Sequence, residues 1–321
     1  MDLITQGILG AAIGQVGFQP RLGRKALAYG ALVGMLPDAD VFVRFSTDMC
    51  AEMLHHRGVT HSLFFAPFVS PILAYFFNKM HKSENFSAWL WLCFWAIITH
   101  PLLDLFTVYG TQLLAPFSDH RFSFCAIPII DPLYSVPLLL SVVIGFFIKK
   151  NLKISQIIAA IMLLLTTCYL FLGVAIRDKA IAFVHSQEQC SAKRIEAFTT
   201  IFSIFYRKVV IDDVKTVRIG FLNMLNPKPI TWHVFEKADV PENVLSKREV
   251  AIFYWFSDKW ILPILEENTL LIRDIRFGAD EKNILGYWGL DISNTSLTWK
   301  RFPADISMKN VKKIISTIFK S

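Results

Sequence analysis

The sequence predicts an α-helical integral membrane domain of four to six apolar helices, followed by a small soluble α+β domain. Three observations predict it. Ile154–Ile176 is a run of 23 residues without a charge, and about 20 apolar residues at helical rise match the hydrocarbon thickness of a bilayer. Phe86–Phe106 is almost as apolar, broken only by His100 and Asp104. Beyond Arg177 the apolar runs give way to short stretches rich in β-branched and aromatic residues, punctuated by Asn, Asp, Gly and Pro. A core helix of a large soluble protein is also apolar, but the length of Ile154–Ile176 and the lysine block before it favour a membrane span.

The composition agrees. The chain is 54% hydrophobic and 18% charged, against roughly 25% charged in soluble domains. The net charge of +7 is scattered in short clusters without a long basic tract. Such clusters flank membrane segments, so nucleic acid is not expected as a partner. Asp2 stands where a signal peptide carries a basic region, and no small-residue cleavage site precedes Arg21, so the N-terminus reads as mature structure. Cys50, Cys93, Cys125, Cys168 and Cys190 show no CxxC spacing, which argues against a zinc ribbon or a redox motif.

Taken in order, segments 3–18 and 26–37 are short for secure spans and read as tilted, re-entrant or packed helices. Gly7, Gly10, Gly14 and Gly17 offer the first of them a small-residue packing face. Spans are expected at 59–78, 86–106, 133–148 and 154–176. The helical membrane domain is assigned to 1–178 and the soluble domain to 179–321, with strands at Lys208–Ile211, Thr216–Phe221, Val250–Phe256 and Leu270–Phe277. The basic loops Arg21–Lys25, Lys79–Lys82 and Lys149–Lys153 alternate consistently with these spans. With all three in the cytoplasm, residues 38–61, 100–132 and the C-terminal domain face the extracytoplasmic side.

Four segments carry chemistry. In Leu36-Pro37-Asp38-Ala39-Asp40 the proline disfavours helix before it, so the two carboxylates sit on an irregular turn. One of them can bind a metal while the other orients a histidine; solvated acids at a helix end are the bland alternative. His55-His56-Arg57-Gly58-Val59-Thr60-His61-Ser62 places His56 and His61 five residues apart, off one helical face, and a turn at Gly58 lets them converge. Thr60 is positioned to cap the following helix. His100 and Asp104 are four apart and share one side of a helix within an apolar run, where ionisable groups are costly and mark a site, a relay or an internal partner. In Pro116-Phe117-Ser118-Asp119-His120-Arg121-Phe122, Arg121 is a fixed cation suited to a phosphate or carboxylate.

Imidazole and carboxylate groups without a thiolate suit Zn²⁺ first, and Mn²⁺ or Fe²⁺ also. Such an ion makes a hydroxide nucleophile near neutral pH, so hydrolysis is the simplest reaction class. HExxH, GxSxG and Walker A patterns are missing, which disfavours zincin proteases, serine hydrolases and P-loop enzymes.

The ordered motifs Met1-Asp2-Leu3-Ile4-Thr5-Gln6-Gly7, Pro37-Asp38-Ala39-Asp40, His56-Arg57-Gly58-Val59-Thr60-His61-Ser62, His100-Pro101-Leu102-Leu103-Asp104 and Tyr109–Ser118 carry a resemblance. The chain resembles the bacterial membrane-bound metal-dependent hydrolases typified by YdjM and YfhP, a family distantly similar to zinc-dependent phospholipase C. The resemblance covers residues 1–180 and implies a multi-pass protein of the bacterial plasma (inner) membrane. It implies Asp38, Asp40, His56, His61, His100 and Asp104 as ligands of a divalent metal, with the number of ions open. Asp40 then serves as base or ligand, and Arg57 and Arg121 contact an anion. The expected function is hydrolysis of a phosphoester or lipid-like substrate at the surface of the bilayer. An ion-coupled transporter or relay built on His100 and Asp104 is the alternative, as is a sensor or assembly factor with a structural metal.

Overall fold

A computed structural model describes residues 1–45, 48–82, 84–148, 151–187, 194–266, 269–277, 287–293 and 297–302. Lys149, Lys150 and Cys190 lie outside the described residues. Two compact units are present. The first comprises Met1–Phe45, His55–Phe124 and Ile129–Leu172; the second takes Ser46–Leu54, Cys125–Pro128 and the chain from Gly173 onward.

The first unit is helical. Its helices are α1 (Leu3–Gly17), α2 (Gln19–Leu22), α3 (Lys25–Gly34), α5 (Phe65–Met80), α6 (Phe86–Asp104), α7 (Pro132–Phe147) and the start of α8 (Leu152–Gln187); the short α4 (Met49–His55), which precedes α5 in the chain, belongs to the second unit up to Leu54. Helix α1 begins where the Asp2 side chain accepts a hydrogen bond from the Thr5 amide at 3.0 Å. It packs so closely on α3 that a Cβ at Gly10 would lie 2.1 Å from the Gly30 carbonyl oxygen. Only a residue without a side chain allows that approach, as small-residue packing between membrane helices requires. Gly7 and Gly14 share this face, whereas nothing lies within 4 Å of Gly17, which is not part of it. Gln15 donates to the carbonyls of Ser141 and Ser155 at 3.0 Å each, and Ser155 Oγ donates to Gln19 Oε1 at 2.7 Å, tying α1 to α7 and α8.

Among the described residues, α6 and α8 are long and apolar enough to cross a membrane, and Met49–His61 taken together with α5 passes the same test as either a broken span or a re-entrant loop, for two to three candidate spans. Helices α1 and α7 are apolar but shorter. The span expected from residue 59 becomes helical only at Phe65, because Val59–His61 forms a 3₁₀ turn and Ser62 is extended. The span expected at 154–176 belongs to a longer helix that continues to Gln187.

Asp131 caps α7 and is completely buried. Its Oδ1 accepts from the Leu133 amide at 3.0 Å and its Oδ2 from the Tyr169 hydroxyl at 2.9 Å. Burial pushes its carboxyl up to about 6 against these donors. The folded value lies above the unfolded one, so protonation favours the fold. The stabilisation is complete below about pH 4 and is lost as pH rises through about 6, by roughly 3 kcal/mol at most. Thermal midpoints of the wild type are expected to fall across this window, and those of Asp131→Asn to stay flat. A wild-type midpoint that rises over the same interval would contradict the assignment.

The second unit is built on two antiparallel sheets. The first has the order β1 (Arg194–Thr199), β2 (Tyr206–Asp212), β3 (Thr216–Asn223), β4 (His233–Glu236). Ala180 and Val184 of α8 pack against Ala197, Val209, Ile211 and Leu222 on its inner face. The second has the order β5 (Ile261–Glu266), β6 (Thr269–Asp274), β7 (Tyr287–Ile292), β8 (Leu297–Phe302). Helices α9 (Glu242–Leu245) and α10 (Arg248–Phe256) lie between them in the chain. The strand expected at Val250–Phe256 is therefore helix α10. Its buried residues Val250, Phe253 and Phe256 recur every third position, and that helical period overrides the strand preference of its aromatic residues.

Candidate metal centre

Four side chains meet at one end of the helical unit: Asp38, His61, His100 and Asp104, each offering one ligand atom, all within 4.8 Å of one another. Asp38 lies on the 3₁₀ segment Leu36–Phe45 that follows α3, His61 ends the turn before α5, and His100 and Asp104 occupy the last turn of α6. His61 and Asp104 have no exposed side-chain surface, and Asp38 retains 17%.

The tautomers follow from the outer contacts. His100 Nδ1 lies 2.6 Å from the Gly34 carbonyl oxygen at the end of α3, so Nδ1 carries the hydrogen and Nε2 presents a lone pair. His61 Nδ1 faces Asp40 Oδ2 at 3.3 Å and Thr60 Oγ1 at 3.1 Å, which leaves its Nε2 free in the same way. The two Nε2 atoms face each other at 3.1 Å. Asp38 Oδ1 is 3.4 Å from both, and Asp104 Oδ2 is 3.4 Å from His61 and 3.7 Å from His100. Four potential ligand atoms gathered this closely suit a positive centre between them. A tetrahedral ion with bonds of about 2.0–2.1 Å holds its ligand atoms about 3.3–3.4 Å apart, and these five edges, at 3.1–3.7 Å, bracket that spacing. Asp104 Oδ2 is buried without a hydrogen bond and faces the Arg57 guanidinium at 3.3 Å. The cluster could hold a metal ion.

An outer layer orients it. Asp104 Oδ1 accepts from Gln6 Nε2 at 3.1 Å and is ion-paired with the α-amino group of Met1. Asp40 stands beside the four and not among them. Its Oδ1 pairs with His56 Nδ1 at 3.1 Å, and its Oδ2 accepts from the Arg57 amide at 2.8 Å and from Thr60 Oγ1 at 3.3 Å. Thr60 thus serves the site and caps no helix; the residue before α5 is Phe64, which makes no side-chain cap. Burial opposes ionisation of Asp40, but hydrogen bonds from His56 and His61 hold its carboxyl well below the usual range.

The turn that brings His56 and His61 towards one another has its left-handed residue at Arg57 (φ 59°), not at Gly58. Gly58 is required for space instead, since a Cβ there would lie 2.9 Å from the His55 carbonyl oxygen. This backbone turns Arg57 inward: Nε lies 3.3 Å from Asp104 Oδ2 and NH1 donates to Thr107 Oγ1 at 2.9 Å. The loop after α6 then fastens the turn, Gln112 N donating to Arg57 O and Leu63 N to Leu113 O, both at 3.0 Å. Arg121 leaves the cluster to the others; NH2 donates to the Gly110 carbonyl at 3.0 Å and NH1 to that of His56 at 3.3 Å. His120 and Asp119 are exposed outside the site.

All of these groups fall within residues 1–180, which match the YdjM inner membrane protein family. The chain belongs to this family. It is 28% identical to YfhP of Bacillus subtilis (strain 168) over 156 residues, 46% of each protein. It is 37% identical to the inner membrane protein YbcI of Escherichia coli (strain K12) over 117 residues, 36% of this chain and 64% of YbcI. The chain therefore spans less than two thirds of the length of these curated relatives. No solved structure matches it. Family membership and the apolar helices together support a location in a bacterial inner membrane.

Sequence reasoning missed the Gly34 carbonyl, the anchoring of Asp104 by Gln6, and the Thr107 contact to Arg57. Gln6 in the apolar opening helix and Thr107 just after α6 are the side-chain signals that pointed there; a backbone carbonyl leaves none.

Proposed function

We propose that this family member is a membrane-bound metal-dependent hydrolase acting on a phosphoester, with a lipid-like substrate presented at the membrane surface. The observation that carries the reading is the four-atom cluster of Asp38, His61, His100 and Asp104, whose atoms lie within 4.8 Å of one another with five of the six edges at 3.1–3.7 Å, which suits a tetrahedral divalent ion. Two neutral imidazoles and two carboxylates carry a charge of −2, which suits Zn²⁺ first and Mn²⁺ or Fe²⁺ after it. A bound ion of this kind supplies Lewis acidity and lowers the pKa of water towards neutrality. The chain's own residues do the rest. Asp40 holds His56 and His61 in register, Arg57 offsets the charge of Asp104, and Asp38 and His56 keep part of their surface open to an entering ester. Arg121 is proposed to meet the anionic group of that ester from the rim.

The cluster is proposed to face the extracytoplasmic side. Arg21, Arg24, Lys25, Lys79 and Lys82 gather at the opposite ends of the same helices, and basic ends stay in the cytoplasm. The activity is tested by assaying purified, Zn²⁺-loaded protein on phosphodiester and phospholipid substrates beside His61→Ala. Turnover is expected to drop at least about 100-fold in the variant, the scale for loss of a metal's contribution. Wild-type turnover no higher than that of His61→Ala on every substrate would sink the reading.

A further inference from the structure

The basic end of the helical unit holds a second constellation. Lys25, at the start of α3, places Nζ 3.1 Å from His81 Nδ1, just past the end of α5. An ammonium only donates, so His81 accepts at Nδ1, its ring is neutral, and Nε2–H donates to Tyr29 Oη at 2.9 Å. The imidazole lies flat on the Trp89 indole, with centroids 5.4 Å apart and planes at 11°. Trp89 is 1% exposed and also meets Tyr29 edge-on at 5.2 Å. Lys25 itself is exposed.

This arrangement fixes a lysine without neutralising it. An exposed lysine gives up rotamer freedom when it is held in one place, and a carboxylate partner usually repays that loss. Here the holder is an uncharged ring anchored on a buried indole. Arg24 rests on the Phe146 ring at 4.6 Å and Lys79 over the Tyr75 ring at 6.0 Å, again on neutral partners. Among the described residues no carboxylate pairs with Arg21, Arg24, Lys25, Lys79 or Lys82. The amino end of α3 adds its positive dipole at the same place. A preorganised, uncompensated cation is complementary to an anion from outside the chain. The exposed surface of α5 and α6 carries Tyr75, Phe76 and Trp91, an apolar face suited to the acyl chains of a lipid.

We propose that Lys25, held by His81 on the Tyr29–Trp89 shelf, is a binding site for the phosphate headgroup of an anionic phospholipid. The site is at the opposite end of the helices from the metal cluster and does not depend on the proposed activity. Basic pockets between membrane helices bind such headgroups through charge and fixed geometry. Full-length protein in mild detergent is titrated with phosphatidylglycerol, phosphatidylcholine or inorganic phosphate while its thermal midpoint is followed. Phosphatidylglycerol is expected to raise the midpoint saturably, and the other two to leave it unchanged. Lys25→Gln is expected to weaken half-saturation about five-fold or more, and Lys82→Gln by less than about two-fold, against roughly 1 kcal/mol for one lysine at an anionic surface. His81→Phe keeps the ring on Trp89 and the charge on Lys25, yet removes the atom that fixes it, and is expected to weaken binding as well. Equal effects of Lys25→Gln and Lys82→Gln would reduce the site to diffuse charge and overturn it. So would unaltered binding in His81→Phe, or an equal response to inorganic phosphate.

Discussion

Replacing His61 by Ala is expected to reduce bound metal in the purified protein from about one ion per chain to background, because it removes one of four tetrahedral ligands. Elemental analysis after dialysis against a weak chelator measures it. His61 carries the expectation best: its Nε2 forms three of these five edges, to His100, Asp38 and Asp104. Asp104→Asn is expected to behave alike, and here the charge decides. An amide keeps the shape of the side chain but leaves Arg57 facing a neutral group at 3.3 Å. Asp40→Asn separates the layers of the site. Asp40 orients His61 through Nδ1 at 3.3 Å without belonging to the four, so metal is retained with affinity lowered about 10- to 100-fold, the usual cost of losing an orienting group. Wild type and His61→Ala with equal metal content would remove the basis for a metal centre.

The readable parts of this site are those whose geometry is local. His100 and Asp104 are four residues apart on a helix and point the same way, as the spacing required. The pair Asp38 and Asp40 reads in the sequence either as a ligand with an orienting group or as two ligands; the 3₁₀ path of Leu36–Phe45, which sequence pattern does not specify, sets Asp38 among the four and Asp40 beside them. Arg57 reads as an anion contact from its place beside His56. Its left-handed backbone, invisible in a sequence where Gly58 is the obvious turn residue, directs it to Asp104 and Thr107. The helical spans behaved likewise. Ile154–Ile176 was plain because apolar length is additive along the chain, yet its continuation to Gln187 was not, because Ala180 and Val184, set among polar residues there, pack on a sheet that forms later in the chain.

Arg207 is the residue of the second unit whose loss is expected to cost most. It lies on β2 with no exposed surface, and its side chain donates to five backbone carbonyls. Nε reaches Ile204 O at 2.7 Å, NH1 reaches Cys125 O at 2.7 Å and Ala197 O at 3.3 Å, and NH2 reaches Ala126 O and Gly173 O at 2.8 Å each. A guanidinium has five N–H donors, so every one is used. The carbonyls come from four places: the Cys125–Pro128 segment, Gly173 of α8, β1, and the turn before β2. One side chain therefore closes the seam between chain segments far apart in sequence. Nothing in the sequence around Arg207 announces this, because its partners are backbone atoms. Arg207→Met fills much of the same volume but leaves these carbonyls without their donor, each at a desolvation cost of about 1–3 kcal/mol where no water replaces it. Relaxation will recover part of the sum, and a net loss of about 3–5 kcal/mol is expected, the range for breaking a buried charged network. Lysine is not a remedy, since three donors on one nitrogen cannot span four segments. Limited proteolysis should show the Cys125–Pro128 segment and the chain after Gly173 becoming sensitive together in both variants. Arg207→Met unfolding within about 1 kcal/mol of the wild type would mean that water satisfies those carbonyls as well as the guanidinium does.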